Sequence, residues 1–395
     1  MAVSLAIVII LGLFADYVFK KMKLPGLVGM LLVGILCGPY VLNIIQPELL
    51  KISADLRMVA LIVILLRAGL ELRKDTLNRI GRPAALLSFV PAIFEGAVIT
   101  FLGHYYLHIS YLESAILGTI LAAVSPAVVV PLMIDFIDRR MGTKKGIPIL
   151  VLAGSSVDDV FVIVVFSILL GLYTGTHTNI LIKLLEIPES IVVGIGVGVL
   201  SGYIIYYVFE RFNPRATKMA IVVVAVSILL TWLEEELKTR VVMSALLGAM
   251  TVGFIILEKS EIRAHKISQK LSKVWIFAEI LLFVLVGAQV NIKVAIDAGL
   301  IGAALIFIAL IGRGIGTYVS MIGTNLNFKE RLFCVISYIP KATVQAAIGA
   351  VPLEAGIGSG DIILAVAVLS ILLTAPLGAI GMTITGRRWL EKELT

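Results

Sequence analysis

Thirteen apolar runs follow one another along the chain, near residues 2–19, 24–42, 56–71, 82–104, 112–135, 146–172, 189–209, 217–233, 240–257, 274–290, 296–321, 331–351 and 361–384. A run of about 20 apolar residues is what a helix needs to cross the hydrocarbon of a bilayer. Inside that layer every backbone N–H and C=O must find its partner within the protein, which leaves the helix as the form for continuous apolar runs. At 59% hydrophobic and 15% charged residues, the composition fits few soluble domains. The expected architecture is an all-α polytopic membrane protein of about 13 transmembrane helices. The connections are short, so residues 1–395 read as a single unit without a separate soluble domain. The first run lacks a basic flank and a small-residue cleavage site, and reads as a span instead of a removed leader.

The net charge of +7 follows the loops. Of the 33 Lys and Arg, 24 lie in the loops after the odd-numbered runs and in the C-terminal tail, and six lie in the alternate loops. Basic residues mark the cytoplasmic side. The N-terminus is therefore expected outside and the C-terminus in the cytoplasm, and the charge is a topology signal, not a nucleic-acid surface. Cys37 and Cys334 have neither metal-site nor disulfide spacing. The short tails make a bacterial inner membrane the expected setting.

Within the sixth run stand Asp158 and Asp159. Each carboxylate costs roughly 2.5 to 3.5 kcal/mol near the centre of a bilayer, and such residues mark ion or proton paths. A single structural ion pair does not need two of them.

The two halves of the chain resemble each other at a nearly constant offset. Gly29 and Gly34 match Gly248 and Gly253, 219 residues on; Gly69 matches Gly287, 218 on; Pro126 matches Pro340, 214 on. An offset of seven helices inverts the second copy, which is the plan of secondary transporters. The copies are about 1–172 and 217–384, with 189–209 as the linker helix. Ser125, Pro126 and Pro131 in the fifth run, with Pro340, Lys341, Thr343 and Gln345 in the twelfth, mark two helices that should break and cross. Lys341 would offset the negative half-helix ends, while the aspartates face the positive ones. Glu95 and Arg313, also 218 apart, are repeat mates expected to form an ion pair near the axis.

Adjacent positions lie about 100° apart around a helix. One aspartate can therefore face an ion cavity while the other turns to the crossing. Burial disfavours the charged carboxylate and a nearby cation favours it. A carboxylate poised between the two holds either a proton or a dehydrated small cation. Oxygen ligands from Asp159, Asp158, Ser155 and Ser156 suit a hard ion such as sodium. Competition for that site, with alternating access, gives obligatory exchange.

Leu66-Arg67-Ala68-Gly69-Leu70-Glu71-Leu72, Ser125-Pro126 through Pro131, Lys145-Gly146-Ile147-Pro148, Asp158-Asp159 and Pro340-Lys341 through Gly349 resemble the monovalent cation:proton antiporter superfamily, and most of all its NHA-type sodium/proton antiporters. The resemblance spans nearly the whole chain. It implies the NhaA/NapA-type fold, a homodimer with a mobile core (about 56–172 and 274–384) and dimerisation or scaffold helices (about 1–42 and 189–257), and exchange of sodium or lithium for protons. Asp159 would be the principal ion- and proton-binding carboxylate, with Asp158 beside it. Some relatives pair the first aspartate with a lysine on the eleventh helix. Here that helix carries Arg313, and Lys341 lies on the twelfth, so either is open as the basic partner.

Potassium/proton exchange and a sodium-coupled organic-anion symporter on a similar scaffold stay open, as does a channel. The chain shows no HExxH, no GxSxG in a suitable context and no Cys–His pairing, so an enzyme is not expected. No cofactor is expected beyond the transported ions; the expected partners are monovalent cations, protons, the bilayer and a second copy. His104, His108, His177 and His265 fall in or beside loops, and Glu234-Glu235-Glu236 is expected on a solvated outer loop.

Overall fold

Apolar runs of this length become helices, interrupted where proline withdraws a donor or a charged turn intervenes. The structure is a computed structural model that describes residues 1–22, 24–72, 74–175, 180–237, 241–292, 296 and 299–393. Its helices are α1 (Ala2–Lys21), α2 (Gly26–Cys37), α3 (Pro47–Lys51), α4 (Ser53–Gly69), α5 (Lys74–Leu87), α6 (Val90–Leu107), α7 (Tyr111–Ala122), α8 (Pro126–Asp138), α9 (Ile147–Tyr173), α10 (Ile180–Phe212), α11 (Ala216–Leu237), α12 (Ala245–Lys259), α13 (Glu261–Ala288), α14 (Gly299–Ser320), α15 (Phe328–Ser337), α16 (Thr343–Ile348), α17 (Val351–Glu354) and α18 (Gly360–Trp389). Among the described residues there is no strand, only an isolated bridge between Met141 and Lys392.

Nine helical stretches among the described residues are long and apolar enough to cross a membrane. The other four expected segments are held by the shorter α2, α4 and α12 and by the interrupted pair α15 and α16. The fourth expected segment is also interrupted, between α5 and α6 at Ser88 and Phe89. Capping boxes start α7, where Ser110 and Glu113 reciprocate, and α15, where Asn327 and Glu330 do so. The Glu330 carboxylate also receives Lys145 Nζ at 2.9 Å, tying α15 to the loop ahead of α9.

The two breaks follow from proline chemistry. Pro126 has no N–H for the preceding turn and biases Ser125 away from helical geometry, so α7 stops at Ala122 and α8 starts at Pro126. Pro131 lies one turn inside α8 and is not at the break. Pro340 sits in the non-helical link between α15 and α16. The links meet: Ser125 N donates to Pro340 O at 2.8 Å, and the hydroxyls of Ser125 and Thr343 lie 3.4 Å apart.

Four glycines report how the halves pack. A Cβ at Gly34 would lie 2.0 Å from Val284 O, and one at Gly253 would lie 2.6 Å from Leu66 O. A Cβ at Gly287 would lie 2.1 Å from Leu31 O, and one at Gly69 would lie 1.9 Å from Met250 O. Moving each contact by 218 or 219 residues turns it into its partner. Helix α2 is thus seated on α13 as α12 is on α4. Such reciprocity is what a two-fold relation between the copies produces.

Because backbone stands where those side chains would go, Gly34→Ala and Gly253→Ala should each lower stability by about 1–3 kcal/mol. Gly196→Ala, with nothing within 4 Å of its Cβ, should be neutral or stabilising. Thermal unfolding of the detergent-purified variants measures the contrast.

Candidate functional site

A helix leaves its last four carbonyls without intrahelical donors. For α7 these fall at Ile120 to Ala123, inside the protein, where all four residues are buried. Three side chains satisfy them. Gln345 Nε2 donates to Ile120 O at 2.9 Å and to Ala123 O at 3.1 Å; Lys341 Nζ donates to Leu121 O, and Arg313 Nη1 to Ala122 O. Two of the caps are cations, as the negative end of a helix favours. The Lys341 backbone is held in turn by Thr374 Oγ1, which accepts its N–H at 3.0 Å.

Two buried cations need anions. Glu95 on α6 receives Arg313 Nη1 at 2.8 Å on Oε2, and Lys341 Nζ lies 2.7 Å from Oε1 and 2.9 Å from Oε2. Asp158 Oδ2 accepts from Val124 N at 2.8 Å and from Arg313 Nη2 at 3.3 Å. None of Glu95, Asp158, Arg313 and Lys341 is more than 1% exposed. Two formal positive and two formal negative charges cancel, and the Tyr338 ring covers Arg313 at 5.3 Å. The expected Glu95–Arg313 pair is therefore part of a larger node. Arg313 touches Asp158 directly, while Lys341 is committed to Glu95 and the end of α7.

Asp159 points elsewhere. It is half-buried and lines a cavity of about 420 Å³ together with Pro126, Ser156, Thr343, Arg57 and Glu234. Its Oδ1 has no hydrogen-bond partner among the described residues. The two aspartates thus occupy the two environments that their spacing allows.

The serines divide as well. Ser156 lines the cavity, with its hydroxyl donating to Leu152 O at 2.8 Å. Ser155 donates to the same carbonyl at 3.2 Å, is fully buried and is not part of the cavity lining. Glu234 belongs to this cavity, not to a solvated loop; its Oε2 accepts from Ala245 N at 3.2 Å. A run of three glutamates reads as a surface, and only the approach of α12 distinguishes the first. Gln345 and Val124 were legible as residues beside the breaks, but nothing in their spacing tells which carbonyl or carboxylate they meet. His104 caps its own turn through Ile109 O at 2.7 Å and stacks on Tyr111, and His177 lies outside the described residues.

Crossed broken helices, a neutralised buried charge node and an unpartnered carboxylate opening on a cavity together define a helical membrane transporter. A family model described as sodium/hydrogen exchanger, transmembrane, matches residues 5–387. The chain belongs to that family and is an integral membrane transporter, not an enzyme. It is similar to human sodium/hydrogen exchanger 9B2, with 34% identity over 389 residues covering 93% of this chain and 70% of the relative. Human sodium/hydrogen exchanger 9B1 is 30% identical over 398 residues, covering 94% and 73%. The fold is similar to that of the sodium proton antiporter MjNhaP1 from Methanocaldococcus jannaschii at pH 8, with TM-score 0.77, 22% identity, and 97% and 96% of the two chains covered. A second structure of that antiporter gives TM-score 0.80 at 20% identity.

Removing Glu95 leaves the node with an uncompensated buried cation. Glu95→Gln should cost about 3–5 kcal/mol of stability, read as a lowered unfolding temperature in detergent, with Glu95→Asp less affected.

Proposed function

We propose that this protein exchanges sodium or lithium ions for protons by alternating access, with cation and proton competing for Asp159. The unpartnered Asp159 carboxylate in the cavity carries this reading. The relatives named as sodium/hydrogen exchangers point to the same ions. Asp159 would hold the dehydrated cation with help from oxygens that share its cavity, Ser156 and Thr343 among them. Asp158, tied to Val124 N and Arg313, serves to position the helix crossing. Lys341 and Arg313 compensate charge, and no cofactor enters the cycle.

On the division expected from the sequence, a mobile core of 56–172 and 274–384 and a scaffold of 1–42 and 189–257, the cavity has walls from both parts. Asp159 and Thr343 line it from the core, and Ser190, Glu234 and Leu247 from the scaffold. Movement of one body against the other would open Asp159 to alternate sides, as an inverted repeat permits. A homodimer formed through the scaffold helices completes this reading. The loop charges support an orientation with the N-terminus outside and the C-terminus in the cytoplasm. A bacterial inner membrane draws no support from the relatives described above, which are human proteins.

In proteoliposomes with a preset pH gradient, sodium or lithium should drive proton movement, and Asp159→Asn should reduce it to the protein-free background. Competition sets the pH dependence. As pH falls below the titration range of the carboxylate, the apparent KM for sodium should rise about tenfold per pH unit while the maximal rate persists. Retained exchange in Asp159→Asn would remove that residue from the site.

A further inference from the structure

Gln345 is the one neutral side chain among the caps of α7, and its orientation is fixed by its neighbours. Nε2 faces two backbone carbonyls, Ile120 O and Ala123 O, which only an amide nitrogen can satisfy. The side chain is 1% exposed. Its Oε1 therefore turns away from these carbonyls and has no hydrogen-bond partner among the described residues; Gln345 also lines a second cavity of about 370 Å³ with Ser53, Gln289 and Asn291. Helix α16 forms a wall between the two cavities. Thr343, Val344 and Ala347 face Asp159, while Gln345 and Ala346 face the other side.

The Ala123 carbonyl and the Val124 N–H belong to a single peptide group. A trans peptide is planar and directs its C=O and N–H to opposite sides. Gln345 holds the oxygen of this group at 3.1 Å, and Asp158 Oδ2 holds its hydrogen, with Val124 N 2.8 Å away. The next residue, Ser125, is fixed by Pro340 O. We infer that Gln345 is a positioning residue for ion exchange: it clamps the Ala123–Val124 peptide so that its N–H stays on Asp158 and the crossing keeps its shape beside Asp159. Without the clamp, this peptide is free to turn about its flanking bonds, and Asp158 retains only Arg313. The inference rests on the exchange reading for its consequence in transport, but the clamp itself is a structural property.

Gln345→Met keeps the side-chain length and removes both donors, and Gln345→Glu leaves at most one. Gln289→Met, in the second cavity, is the control. Hydrogen–deuterium exchange of the 120–126 segment should quicken by about tenfold in the Gln345 variants, the loss expected for two neutral hydrogen bonds. Exchange in α10 and α12 should be unchanged. Maximal sodium-driven proton exchange should fall by about tenfold with the sodium KM within about twofold, because the clamp acts beside the ion and not on it. Protection of 120–126 unchanged in folded Gln345→Met would overturn the clamp, and accelerated exchange of the segment with undiminished transport would overturn its role in the cycle. A wild type that moves no cation fails the exchange reading instead, and the hydrogen-exchange arm still decides the clamp.

Discussion

The structure depends on how one helix end is kept open inside the protein. Pro126 stops α7 at Ala122 and leaves carbonyls where neither water nor the next turn can serve them. Three donors from the other half of the chain close that end: Arg313, Lys341 and Gln345. Two are cations, and burying cations demands buried anions. Glu95 and Asp158 answer that demand, and a neutral node results. The second aspartate is left over, one position farther around α9, with a cavity before it. A carboxylate that opens on a cavity is thus set directly beside one anchored in the node.

The two adjacent aspartates stand in different surroundings. Asp158 Oδ2 is engaged by a backbone N–H and a guanidinium, while its Oδ1 has no hydrogen-bond partner among the described residues. Fully buried, it holds the crossing and does not line the cavity. Asp159 also lacks a partner for one oxygen, and it alone of the two lines the cavity. The glycine contacts supply the complementary rigidity. Where α2 meets α13 and α4 meets α12, backbone lies against backbone, so each pair is held at close quarters.

Much of this was legible in the residues. The offset of 218 that relates Glu95 to Arg313 predicts their pairing, and the two are 2.8 Å apart. Ser125 and Thr343, whose hydroxyls meet at the crossing, also lie 218 apart, although the proline match at 214 does not align them. Residues at such offsets meet when they lie near the axis of a two-fold relation, so sequence spacing alone identifies them. Other contacts lack that regularity. Gln345 holding Ala123 O spans 222 residues, and Lys341 reaching Glu95 spans 246. Ser155 and Ser156 are alike as letters, yet one is sealed in packing and the other borders the cavity. Glu234 reads as one of three surface glutamates until α12 is brought against it.

By itself, the sequence determined what local chemistry can determine. Apolar runs dictate helices, prolines dictate where they break, paired carboxylates announce a costly polar site, and glycine spacing reveals the repeat. Which side of a helix faces a cavity, which carbonyl meets which donor, and which aspartate stays unpartnered were decided by the tertiary structure. The reason is geometric. A change of 100° around a helix, or of a few ångströms in how two links cross, exchanges a packed environment for an open one without altering any residue.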